Sequence, residues 1–261
     1  MDFGQLICAL PLWLLFCVTA ATSMLSVEGG AYLAKRVLRH RAKEPEAPLG
    51  SLVGSVLGLL AFMLAFTFGM TASRFESRKQ LVLDEANALG TAYLRAGFLP
   101  SSQKREIRNL LREYVDVRLQ GTVNTLPTVL AHSDRIHDLL WTQAESLIKS
   151  DMDSELRSLF VGSLNEVIDL HESRLTIALR YRIPGTIWLS LYLLTILSML
   201  AIGYQIGMAG TGRVFGMPLM ALAFSIVIVM IADMDKPGEG KFQISHQPLV
   251  DTRQMMERHA P

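Results

Sequence analysis

Four stretches of this chain contain no Asp, Glu, Lys or Arg: Phe3–Val27, Ala47–Ser73, Ile183–Gly212 and Val214–Ala232. Nothing else in the sequence restricts the fold as tightly. A helix rises about 1.5 Å per residue, so each run is long enough to cross about 30 Å of hydrocarbon. A soluble core helix normally carries charge on the side that meets water, and these runs carry none on any side. The sequence therefore predicts four transmembrane helices. Half of the 261 residues are hydrophobic and the formal net charge is only +1, averages that conceal this segregation.

What remains is polar. Residues 74–182 hold 15 basic and 15 acidic side chains, a balance that gives no electrostatic bias towards nucleic acid. The two cysteines, Cys8 and Cys17, share the first apolar run and lie too far apart along one helix to bridge each other. They form no disulfide framework and no metal-ligand spacing, and nothing in the sequence asks for a cofactor. The first five residues, MDFGQ, carry an acid and no base. The run is therefore read as a helix that stays, not as a cleaved leader.

The organisation follows. Residues 1–48 form the first transmembrane helix and a loop whose bases are Lys35, Arg36, Arg39, Arg41 and Lys43; residues 49–73 form the second transmembrane helix. Residues 74–182 form a soluble helical bundle, residues 183–232 the third and fourth spans, and residues 233–261 a polar C-terminal tail. Apolar residues keep helical spacing past Arg74, so the second span should continue into the bundle and stop near Gly97–Pro100. A second bundle helix should be capped by Ser101 or Ser102 and end at Gly121. A third starts around Thr125-Leu126-Pro127 and reaches about Lys149. A fourth is opened by Ser150-Asp151-Met152-Asp153 and runs through Arg182, with Pro184 and Gly185 allowing a bend into the third span. No segment has the alternation of a strand.

The second span carries the sharpest pattern. Gly50, Gly54 and Gly58 fall four apart, spacing that lets another helix pack closely. Further steps of four give Phe62, Phe66, Met70, Arg74 and Arg78. Each such step drifts by about 40° around a helix, so the stripe winds slowly. It is either a packing seam with lipid-facing aromatics or the lining of a path.

The segment LLAFMLAFTFGMTASRFESRKQLVLDEANALGT resembles the second span of the bestrophin family, and more closely the bacterial bestrophin-like families of the DUF4239 type. In bestrophins the pore-lining helix carries apolar residues four apart, then an Arg-aromatic-aromatic-Glu-x-Arg pattern. Here Arg74-Phe75-Glu76-Ser77-Arg78-Lys79 keeps the arginine, one aromatic and the trailing basic pair. The resemblance implies a pore neck at Gly58, Phe62, Phe66 and Met70, with glycine at Gly58 in place of a bulky ring. It implies a mouth at Arg74, Arg78 and Lys79, a homopentamer in a lipid membrane, and conduction of small anions such as chloride. The segment Asp233-Met234-Asp235-Lys236-Pro237-Gly238-Glu239 resembles the family's acidic turn after the last span, a calcium clasp in calcium-gated members. Asp233, Asp235 and Glu239 are thus a candidate cation site, sparse for a cation that takes six or more oxygens. The other reading of these acids is that they satisfy helix ends or pair with Lys236.

Other residues point elsewhere less strongly. His132 and His137 are five apart and share no helical face, and His171 with Asp169 and Glu172 reads as a charged helix face. No glycine-rich phosphate loop or Ser-His-Asp order suggests an enzyme. Apart from Asp233 at a span's edge, no acid sits inside a span, as a proton- or cation-coupled transporter would normally require. The Gly203–Gly207 pair is read as helix packing. Two cues disagree about sidedness. The bases of the 28–48 loop place that loop inside by the positive-inside rule, whereas the resemblance places the bundle in the cytoplasm. The sequence thus predicts an all-α, bestrophin-like protein of the bacterial inner membrane; the alternative is a non-conducting scaffold or envelope sensor acting through its bundle.

Overall fold

The structure, a computed structural model, describes residues 3–40, 46–121, 125–149, 152–177, 181–210, 216–236 and 240–259. Within them are nine α-helices and no strand: α1 (Phe3–Ala9), α2 (Leu12–His40), α3 (Glu46–Arg95), α4 (Ser101–Gln120), α5 (Leu126–Ser146), α6 (Ser154–Leu175), α7 (Gly185–Ala209), α8 (Gly216–Asp235) and α9 (Gln247–Arg258). Helices α2, α3, α7 and α8 are each long and apolar enough to cross a membrane, the four spans the sequence predicts. The chain divides into two compact units.

The first unit comprises Met1–Phe75, Arg182–Lys236 and Gly240–Phe242. Its first apolar run is two helices, not one. Pro11 has no N–H to continue α1 and its ring crowds the turn before it; its carbonyl instead accepts the first bond of α2, from Leu15 N–H at 3.0 Å. Helix α2 then runs on to His40, so much of the basic loop is helical. Glycines bring α2 and α7 together: a Cβ on Gly30 would strike Leu200 O, one on Gly203 would strike Val27 O, and one on Gly207 would crowd Ala31 and Ala34. Without a hydrophobic drive between helices in lipid, such close backbone approach supplies the attraction. Gly210 closes α7 with a φ of 67°, the left-handed conformation that favours glycine. The core gathers Leu15, Leu60, Leu64, Trp188, Leu191, Ile228 and Ile231. Thr19 and Tyr192 share a hydroxyl–hydroxyl bond of 2.8 Å across α2 and α7.

The second unit comprises, among the described residues, Glu76–Tyr181 and the chain from Gln243 onward. Its helices start and stop largely where the sequence says. Leu126–Pro127 open α5, with proline in the first turn, where its missing N–H costs nothing. Asp153 caps α6, its carboxylate accepting from Glu155 N–H at 2.7 Å and Leu156 N–H at 3.2 Å. Helix α4 begins at Ser101 without a side-chain cap, its N-cap position falling on Pro100. Helix α6 ends at Leu175, short of the predicted Arg182; Tyr181–Pro184 is non-helical, as suits residues leading into a proline. Residues 247–258, read from sequence only as tail, form α9. It buries Leu249 and Met256 in the same core as Tyr93, Ile107, Leu111, Leu140, Phe160 and Leu164. Tyr93 donates to Met256 O at 2.9 Å, and Arg253 grips Asp116 with both ends of its fork, at 2.6 and 3.2 Å.

Candidate functional site

Helix α3 has one line of residues turned inward. Val53, Leu60, Leu64, Thr67 and Thr71 are buried, spaced by sevens, fours and threes that keep one face. Thr67 and Thr71 donate their hydroxyls to Met63 O and Thr67 O at 2.7 and 2.8 Å, which satisfies them without another helix. Phe62 lies about 180° around the helix from Val53 and Thr71. It is 65% exposed, Phe66 is 58% exposed, and Leu52 and Leu59 share their side of the helix. A Cβ placed on Gly54, Gly58 or Gly69 would meet nothing within 4 Å. A broad, smooth apolar face, with two benzyl groups one turn apart, thus has no cover among the described residues.

The neck positions expected from the resemblance divide along this boundary. Gly58, Phe62 and Phe66 lie on the uncovered face, whereas Met70 packs partly against the membrane core. Arg74 is half-buried, with Nη2 3.7 Å from Met70 Sδ. Arg78 is buried and Lys79 exposed. The winding of the four-residue stripe explains the sequence of environments: four steps beyond Phe62, Arg78 has drifted by about 160°. Gly50 sits 3.4 Å, at its Cβ position, from Gln205 Nε2.

The acids after the fourth span are tied to backbone. Asp235 accepts from Ile183 N–H at 3.2 and 3.3 Å, just ahead of α7. Asp233 accepts from Lys241 N–H at 2.9 and 3.2 Å. Gly240 lets that turn close, since a Cβ there would run into the Asp233 carboxylate. Lys236 donates its ammonium to Leu10 O. Glu239 lies outside the described residues, and among those described no three His, Cys, Asp or Glu side chains are placed to hold a metal ion. Asp233 and Asp235 thus each accept a backbone N–H in this structure.

The second unit contains a buried polar cluster that the sequence did not reveal. Glu85 is fully buried and accepts from Tyr114 O–H at 2.6 Å and from Arg174, with Arg118 Nε at 3.4 Å. Since the Tyr114 proton goes to Glu85, the phenol oxygen accepts from His171 Nδ1–H at 2.9 Å, which fixes the tautomer of that ring. His171 is wholly buried, not on a charged face. His137 stacks on Tyr114 with ring centroids 4.9 Å apart and meets His171 edge-on at 4.8 Å. Burial pushes His137 down to about 4, against a partial upward pull from Asp134. Burial, with His137 and Arg118 nearby, pushes His171 down to about 3. Burial likewise raises the Tyr114 phenol and lowers Arg174 to about 10. Both rings are thus neutral at neutral pH. His132, in contrast, meets Glu113 at an exposed position, 2.8 Å away.

Comparison with known proteins agrees with this architecture. No curated protein matches the chain. Solved structures do, among them two described as a bacterial bestrophin homologue from Klebsiella pneumoniae. One, phased with zinc, has a TM-score of 0.66 and 16% identity, over 96% of this chain and 100% of that one. The other, a single-residue variant, has a TM-score of 0.63 and 16% identity, over 94% and 96%. At that identity the likeness speaks for the fold. The bestrophin-like domain matches residues 20–249, from the first span into α9. The chain, an all-helical protein with four apolar spans, belongs to the bestrophin-like family.

Proposed function

We propose that copies of this chain assemble around an axis, as a homopentamer, in a bacterial inner membrane and conduct small anions such as chloride along the uncovered face of α3. One observation carries the reading: Phe62 and Phe66 stand 65% and 58% exposed on the side of α3 opposite its own protomer's core. A ring of subunits would bring these side chains together on the axis. Stacked apolar rings exclude water, and an ion cannot shed its hydration shell there without replacement ligands, so such a neck gates by wetting and dewetting. Gly58 and Gly54, flat on the same side, would let neighbouring α3 helices approach. Lys79 is the base of the expected mouth that stays exposed, 3.3 Å from the Glu76 carboxylate.

The test is electrical. Purified protein reconstituted in planar bilayers is expected to pass current in chloride salts, and Phe62→Ala with Phe66→Ala is expected to raise conductance and weaken closure. Absence of current from the wild-type protein, or a double variant with unaltered conductance and gating, overturns the proposal.

A further inference from the structure

Beyond Ser73 α3 becomes charged, and burial separates the charges that follow the phenylalanines. At about 100° per residue, Arg74 lies about 120° from Phe62, and Arg78 about 160°. Arg78 is buried, and Arg74, though only about 80° from Phe66, is half-buried. Glu76 lies about 40° from Phe62, at the same phase as Gly58. Lys79 lies about 100° away on the same flank, and its ammonium reaches back one turn to Glu76 Oε1 at 3.3 Å. Both side chains are open, Lys79 62% and Glu76 65% exposed. The first fully exposed ionised groups to follow Phe62 and Phe66 along α3 are therefore one carboxylate and one ammonium, held as a pair.

We propose that the Glu76–Lys79 pair, and not the two arginines, sets the charge preference of the ion path, with Glu76 the residue that restrains anion selectivity. The assignment rests on the channel reading above. Repeated around an axis, the carboxylates alone would repel anions and the ammoniums alone would attract them. Paired, the two rings offset each other, so the wild-type preference for anions is small. An exposed pair of this kind contributes little to folding, so either charge can be removed without unfolding the protein.

Reversal potentials in a potassium chloride gradient at low ionic strength test this directly. Glu76→Gln should raise the chloride-to-potassium permeability ratio and Lys79→Gln should lower it, each by about tenfold, the scale of local counter-ion enrichment in a focused field. The double variant should return close to the wild-type ratio, and Arg74→Gln should move it far less than either single variant. Currents whose ratio is unchanged in both single variants, shifts in the same direction, or an Arg74→Gln shift as large as that of Glu76→Gln overturn the assignment and leave the channel reading standing. Absence of current from the wild-type protein overturns both.

Discussion

His171 gives its Nδ1 proton to Tyr114 because the phenol has already given its own to Glu85. That chain of donations holds a neutral imidazole in the middle of the bundle, and it has a thermodynamic consequence. Both His137 and His171 are bases whose folded-state pKa lies below the ordinary 6.5, at about 4 and about 3. The unfolded chain therefore binds more protons than the folded one below pH 6.5, so stability is fully present above that value and falls as pH falls towards 4 and then 3. Each histidine contributes a slope approaching 1.4 kcal/mol per pH unit (an order-of-magnitude figure). Unfolding of the purified protein in detergent should show the loss between pH 6.5 and 5, above the ordinary carboxylate range. His137→Phe, which keeps the stack on Tyr114 but cannot titrate, should roughly halve the slope; a flat profile for the wild-type protein contradicts the cluster. Sequence alone hid these residues for a physical reason. Glu85 sits in LVLDEANALG like any surface acid of a helix, and its partners Tyr114 and Arg174 arrive from 29 and 89 positions away. A charge count of the bundle, evenly balanced, cannot tell a buried pair from a solvated one.

At the scale of elements, periodicity and caps were legible because they are local. Thr125-Leu126-Pro127, Asp153 and Gly121 mark helix ends through backbone chemistry within a turn of themselves. Interruptions decided by packing were less so. Pro11 splits an apolar run that hydropathy treats as continuous, and α9 forms because Leu249 and Met256 have a core to enter, not because its polar sequence demands a helix. The Gly203–Gly207 pair was readable as packing, and the structure supplies its partner, the backbone of α2 from Val27 to Ala34. A branched side chain at Gly203 would have to push that backbone away. Gly203→Val is therefore expected to cost about 1–3 kcal/mol, the usual scale of overpacking, and to lower the unfolding temperature of the detergent-solubilised protein. A variant as stable as wild type would show that α2 and α7 do not cross at this point.

For the whole molecule, a broad apolar face of α3 is left without cover among the described residues, and the proposed ion path gives that face a use. The resemblance in LLAFMLAFTFGMTASRFESRK was legible because it lies in one continuous helix. Which of its residues face outward was not, because the four-residue stripe winds from the open side at Phe62 to the buried side at Arg78. The most direct test introduces a single thiol at the neck. With Cys8→Ser and Cys17→Ser as background, Phe62→Cys should make channel current fall irreversibly when a charged, water-soluble thiol reagent is applied, because the reagent reaches residue 62 from the ion path. Current that persists after exhaustive treatment, while the background protein conducts normally, would place this side chain away from water and contradict an ion path along α3.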